Sequence, residues 1–395
     1  FTNFNGTGPS SVISLAPWIT TNQPSNGVSF DFGAFSDAGN YRNTTISLLL
    51  TLPVGSQPFA SDLFLTNQLR VEEGSTNQGE TTAESIQPLD LVRPVMSINK
   101  GVVGDTRNGG YTLGGIGFNA PGGSTAFTGG PIFNATQASA IGASNGQTLD
   151  GGDQARFAIV VQNTGRGDAY DVIVTDTFST GYDAPASATN FASDVNLTVR
   201  RGDGTALTNG ALVDEFARVA TSANIPNLAA APTTIGGLQL QVNDLVLVRA
   251  QTTASQNGLY RVTSVNAGGT VTLGLVSGST AAGFRVAVLG GVFNGVATPG
   301  RLFQTAGAGA WSDLGDSASH FLSYNPGTRS FRVSPNDTYS AGNTNAETLD
   351  NRTGGISRGA SGSGATIAPV TNGSNTLVIT YDLRLNPATT NPPPS

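Results

Sequence analysis

Lys100 is the single lysine in a chain of 395 residues that carries eighteen arginines, and its surroundings are where chemistry is most readily expected. Val95 to Lys100 reads as a strand, where side chains alternate faces, so Lys100 shares a face with the apolar Met96 and Ile98. Tyr170, Val172, Val174 and Asp176 share a face in the same way, which turns Asp176 inward. Burial weakens an amine's hold on its proton and keeps a carboxyl protonated. Neutral amine, protonated acid and a nearby carboxamide are what an isopeptide bond requires: the amine attacks the amide carbon, the acid shuttles protons, and ammonia leaves. Asn67 is the candidate carboxamide, on a strand of about residues 60 to 72 donated by a neighbouring copy, because Leu63, Leu65, Asn67, Leu69 and Val71 share the inward face of a closing strand. The plainer reading is a lysine whose stem packs at a sheet end while its amine stays in water.

Other chemistry finds little material. Zero cysteines remove disulfides, thiolate nucleophiles and cysteine-based zinc sites together. His320 is the only histidine, so a Ser-His-Asp triad or a two-histidine metal site has at most one centre, and no motif flanks it. Asp150, Asp153 and Asp203 sit in glycine turns without the spaced oxygen ligands that calcium needs. Arg166-Gly167-Asp168 and Arg201-Gly202-Asp203 spell an adhesion tripeptide, yet all three residue types are ordinary in turns. Glycosylation sequons at Asn5, Asn43, Asn134, Asn196, Asn336, Asn351 and Asn372 indicate permissive surface loops at most. The expectation is a protein that is not an enzyme and has neither cofactor nor metal.

The elements that must hold Lys100 and Asp176 are strands. Charged residues are 11%, glycines number 52, and short runs of Val, Ile, Leu and Phe alternate with Gly and Asn turns. The fold class expected is all-β: tandem Ig-like β-sandwiches with an inserted small β domain. Residues 1–93 read as the closing part of a first unit, with strands near 28–32, 44–52 and 62–71. Residues 94–210 and 317–395 read as a second sandwich, interrupted by an inserted module over 211–316. A glycine-rich loop is expected from about 104 to 153. The final strand, Thr376 to Leu385, should turn Thr380, Asp382 and Arg384 to solvent, with Asn386 on the same polar face. No strand after it matches the closing strand of the first unit, so the second sandwich is expected to expose an unpaired edge and part of its core.

A net charge of −7 and an isoelectric point near 4.7 argue against nucleic acid and against anionic membrane as partners. No run of eighteen apolar residues is present, so no membrane span is expected. The start on Phe1 suits a processed product or an excerpt of a longer chain.

Ser97-Ile98-Asn99-Lys100, the long strand from Gly152-Asp153 to Asn163-Thr164-Gly165, and Ala169 to Thr177 together resemble the conserved repeat domain of large bacterial surface proteins. The resemblance covers about a third of the chain. It implies Ig-like sandwiches in tandem on the cell surface, of a kind that cross-link through isopeptide bonds. Leu240 to Arg249 followed by Gln256 to Val262 resembles a small β module of phage tail fibres, with Asn257-Gly258 as a hairpin turn. The function expected is an extracellular structural protein, the repeating subunit of a filament, sheath or surface layer assembled by β-strand contacts. Its partners would be copies of itself, with surface glycans or other cells as further candidates. The alternative is a stalk segment of a large adhesin with the inserted module as its binding tip.

Overall fold

The computed structural model describes residues 95–123, 127–128, 135–144, 148–164, 169, 172–293, 296–297, 300–336 and 375–387. It also describes strands at 2–3, 19–22, 27–30, 46–47, 63–73 and 80–91. The chain is all-β, with helices of at most eight residues among the described residues, and it divides by compactness into Phe1–Phe59 and Ala60–Ser395. In the first unit Ile19–Asn22 pairs antiparallel with Gly27–Phe30, and Thr2–Asn3 pairs with Ile46–Ser47.

The second unit begins with an antiparallel ribbon, β1 (Leu63–Glu73) against β2 (Glu80–Leu91). Eight strands then build two facing sheets: β3 (Met96–Asp105), β4 (Gln154–Asn163), β5 (Val174–Thr177), β6 (Thr198–Arg201), β7 (Gly210–Leu212), β8 (His320–Asn325), β9 (Ser330–Pro335) and β10 (Thr376–Leu385). The first sheet runs β6-β10-β4-β3, extended by short strands at Tyr182–Asp183 and Gly109–Gly110. The second runs β5-β9-β8-β7, with β7 parallel to β8 and the rest antiparallel.

The core between them joins Phe157, Ile159 and Val161 of β4 and Leu377, Ile379 and Tyr381 of β10 to Val174, Leu322, Phe331 and Val333 of the second sheet. Alternation explains this side of β4 and β10, but their other side departs from expectation. Thr380 and Asp382 are buried instead of facing solvent. The stretch expected as a loop over 104–153 contains strands at Thr112–Leu113, Ile116–Phe118 and Phe127–Thr128 and the helix α1 (Ala135–Gly142), and these cover the outer face. Val103, Ile116, Phe118, Ile141, Ala158, Val160 and Val378 form this second core. Close approach of α1 requires Gly101, where a Cβ would lie 1.9 Å from the Ile141 carbonyl oxygen. The polar residues on the covered face are therefore paired internally. Arg156, 1% exposed, grips both oxygens of Asp382 at 2.7 and 2.8 Å.

Between β7 and β8 the chain leaves to form two larger sheets and two short two-stranded ones, Thr234–Ile235 with Leu238–Gln239 and Val292–Phe293 with Val296–Ala297. One larger sheet orders Glu215–Ala217, Arg285–Val288, Arg301–Gly307 and Ala310–Gly315; the other orders Val219–Ala220, Leu245–Val248, Gly258–Asn266, Thr270–Leu275 and Ala231–Pro232. Asn257-Gly258 is not a two-residue hairpin turn. Gly258 opens a strand, and Ala254–Gln256 forms a short helical turn before it.

Candidate functional site

Lys100 lies on the inner face of β3, in register with Ile159 of β4. Asp176 lies on β5, the edge of the second sheet, two positions after the buried Val174 and on the same face. The two meet across the gap between sheets: the Lys100 amine donates to both Asp176 carboxylate oxygens at 2.8 Å. The Tyr381 hydroxyl donates to Asp176 Oδ2 at 2.5 Å. Burial, and after it the Asp176 carboxylate, push the Tyr381 phenol far above its ordinary value, so it stays a donor at any physiological pH. The amine also stands 5.4 Å from the Phe157 ring centre and 5.7 Å from that of Tyr381.

The surroundings differ from expectation in one respect. Met96, Ile98 and Lys100 do share the inner face, but that face is not core at Met96 and Ile98. Lys100 keeps 39% of its side chain exposed, and Met96 and Ile98 are 45% and 62% exposed. The reason is topological. The second sheet ends at β5, whose pairing among the described residues is with β9 alone, and β3 extends beyond that edge. The flank thus combines a strand edge with no ladder partner among the described residues, the exposed Met96 and Ile98, and a primary amine held against a carboxylate.

Asn67 lies in β1 opposite Gln87; its side chain is outside the described residues. Tyr381 and Phe157 escaped sequence reading as members of this site, although alternation with Leu377 and Ile379 places Tyr381 inward. The remaining candidates fall elsewhere. His320 is buried at the start of β8, which lowers its pKa to about 4 because burial disfavours the cation. Asp150 and Asp153 pair with Arg107, and Asp203 caps its own turn by accepting from the Thr205 amide at 2.8 Å. Arg166-Gly167-Asp168 lies outside the described residues, as do the sequons at Asn5, Asn43, Asn134, Asn351 and Asn372. The other two sequons are not permissive loops. Asn336 is buried and donates to the Gly300 and Ala318 carbonyls, and Asn196 donates to Gly123 and Asp382. Among the described residues no three His, Cys, Asp or Glu side chains converge as metal ligands, and no helix is long and apolar enough to cross a membrane.

No family model, curated protein or solved structure matches the chain.

Proposed function

We propose that this chain is an extracellular structural protein of Ig-like sandwich repeats, the repeating subunit of a cell-surface filament, sheath or surface layer held together by β-strand contacts. The observation that carries the reading is the open flank, where the Lys100–Asp176 contact brings the β5 edge against the face of β3 on which Met96 and Ile98 are exposed. An unpaired edge beside an uncovered apolar strip is a template for strand addition, and proteins that stay monomeric blunt such edges. The absence of cysteine gives such an assembly no disulfides to rely on. Sedimentation and negative-stain microscopy of the purified chain test the proposal. Concentration-dependent fibres or lattices support it; a monodisperse monomer at every concentration rejects it.

The Lys100 site adds a covalent version of the same contact. A neighbouring carboxamide reaching the amine would meet a base already in place at 2.8 Å. Asp176 takes a proton from the ammonium, the free amine attacks the amide carbon, and the C–N bond to the carboxamide nitrogen breaks. That nitrogen leaves as ammonia, protonated through Asp176, and one amide bond has replaced another. Ladders that survive boiling in denaturant, each link lacking the mass of one ammonia and absent in Lys100→Arg, are the expected result. Ladders unchanged in Lys100→Arg place the cross-link elsewhere.

A further inference from the structure

We infer that the outer edge of β3 from Met96 to Lys100 pairs antiparallel with the same edge of a second copy, about a two-fold axis at Ile98. The inference rests on the strand-assembly reading and names the strand that makes the contact.

The backbone of β3 shows which of its groups are already committed. Val95 turns toward β4: its amide donates to Asn163 Oδ1 at 3.1 Å, and its carbonyl accepts from the Thr164 amide at 2.8 Å. Val102 turns the other way, its amide donating to the Ser144 carbonyl at 3.4 Å. Between them the register with β4 is unbroken, from Met96 opposite Asn163 to Val102 opposite Phe157. In an antiparallel ladder successive residues turn their backbone groups to opposite sides. Ser97, Asn99 and Gly101 therefore bond to β4, while Met96, Ile98 and Lys100 point their amides and carbonyls outward. Farther along, Ser144 closes this edge at Val102 and the Tyr111 amide closes it at Val103. From Met96 to Lys100 no strand pairs with it among the described residues.

The side chains suit a copy of themselves. Pairing about Ile98 sets Ile98 opposite Ile98 and Met96 opposite Lys100, and every outward amide then meets an outward carbonyl. Ile98, at 62%, is the most exposed large apolar side chain among the described residues, and Met96 is 45% exposed, so the pairing covers apolar surface. Lys100 is the one charged side chain of the stretch, and Asp176 holds it at 2.8 Å, so two copies meet without like charges face to face. Edges that must stay single carry prolines, bulges or free charges. Met96 to Lys100 carries none of these. The contact is isologous and closes on a dimer, which becomes the repeating unit once a further contact propagates it.

The chain has no cysteine, so one introduced thiol reports the pairing. Opposite residues of a hydrogen-bonded antiparallel pair have Cα atoms about 5.5 Å apart, inside the roughly 4.4–6.8 Å that a disulfide spans. Ile98→Cys under mild oxidation should therefore give a disulfide dimer as its main species. Met96→Cys faces Lys100 instead, ~13 Å from its counterpart, and should stay unlinked over the same time. Both positions are exposed, so neither substitution opens the core. If Ile98→Cys fails to link, or Met96→Cys links as fast, the β3 pairing is overturned, and wild-type fibres would leave the assembly reading standing. Ile98→Cys dimers from a chain whose wild type stops at dimers uphold the pairing and overturn the filament. A wild type that stays monomeric at every concentration overturns both.

Discussion

The inserted sheets of residues 215–315 and the two-sheet unit that hosts them are made of similar material and finish differently. Both leave large apolar side chains in water. In the insertion these are Val242, Val265, Leu275 and Leu314, set on separate elements. In the host they include Met96 and Ile98, which share one face of β3 with Lys100 beside the β5 edge. Scattered apolar residues are normal on any surface and need no partner. A contiguous strip next to unpaired backbone groups is a different object, because one added strand satisfies both at once. Under the proposed assembly, the arrangement of the exposed apolar surface, more than its amount, is what would let the host be joined while the insertion stays self-contained.

The largest measurable contrast between the regions lies in their ion pairs. Arg156–Asp382 is enclosed, with side chains 1% and 8% exposed, whereas Arg218–Asp244 in the insertion is 30% and 18% exposed. Removing one partner of an enclosed pair strands a charge, so Asp382→Ala should cost about 3–5 kcal/mol in denaturant unfolding. Asp244→Ala should cost roughly 1 kcal/mol or less, as half-exposed pairs do. Equal losses would mean that the outer cover of β10 is far looser than its packing indicates.

The seam between host and insertion carries the next effect. His320 pairs with Gly210 in register, and a Cβ at Gly210 would come within 2.4 Å of its Nε2. Its folded pKa is lowered from 6.5 to about 4 by burial. The unfolded chain therefore binds the proton first as pH falls. Stability is full above pH 6.5, declines as pH drops toward 4, and flattens below that, a loss of about 3 kcal/mol in all. Unfolding midpoints across that window, in wild type and in His320→Phe, check it. The decline should vanish in the variant, and persistence would assign it to carboxylates. Tyr381→Phe should cost about 1 kcal/mol, one hydrogen bond to a carboxylate that keeps Lys100.

How much of this was legible follows from alternation. The inner faces of β4 and β10 could be read directly, since Phe157, Ile159, Leu377 and Ile379 recur at every second position. The facing of Lys100 and Asp176 could be read as well, because both strands keep that period. What alternation could not give was coverage. It takes one buried face per strand for granted, and β10 has two, so Asp382 read as solvent-facing when it is the partner of Arg156. The cover comes from a stretch whose glycine content reads as loop and whose helix α1 is eight residues long. The same blindness acted in reverse at β3. Its apolar positions read as core, and two of them are exposed because the opposing sheet ends too soon.

The smallest expected effect is the sharpest test of that comparison. Ile98 and Val242 are 62% and 50% exposed, one on the flank and one in the insertion. A surface substitution away from packing changes stability by about 0.5 kcal/mol at most. Ile98→Ser and Val242→Ser should therefore both leave the unfolding midpoint of the dilute monomer almost where it was. At high concentration they should part company. Ile98→Ser weakens association because it removes apolar area from the strip next to the β5 edge, while Val242→Ser leaves association alone. If Ile98→Ser instead destabilised the dilute chain by the 2 kcal/mol or more typical of a truncated core residue, the chain would be covering its own flank. The host would then be as self-contained as its insertion, and the contrast between them would disappear.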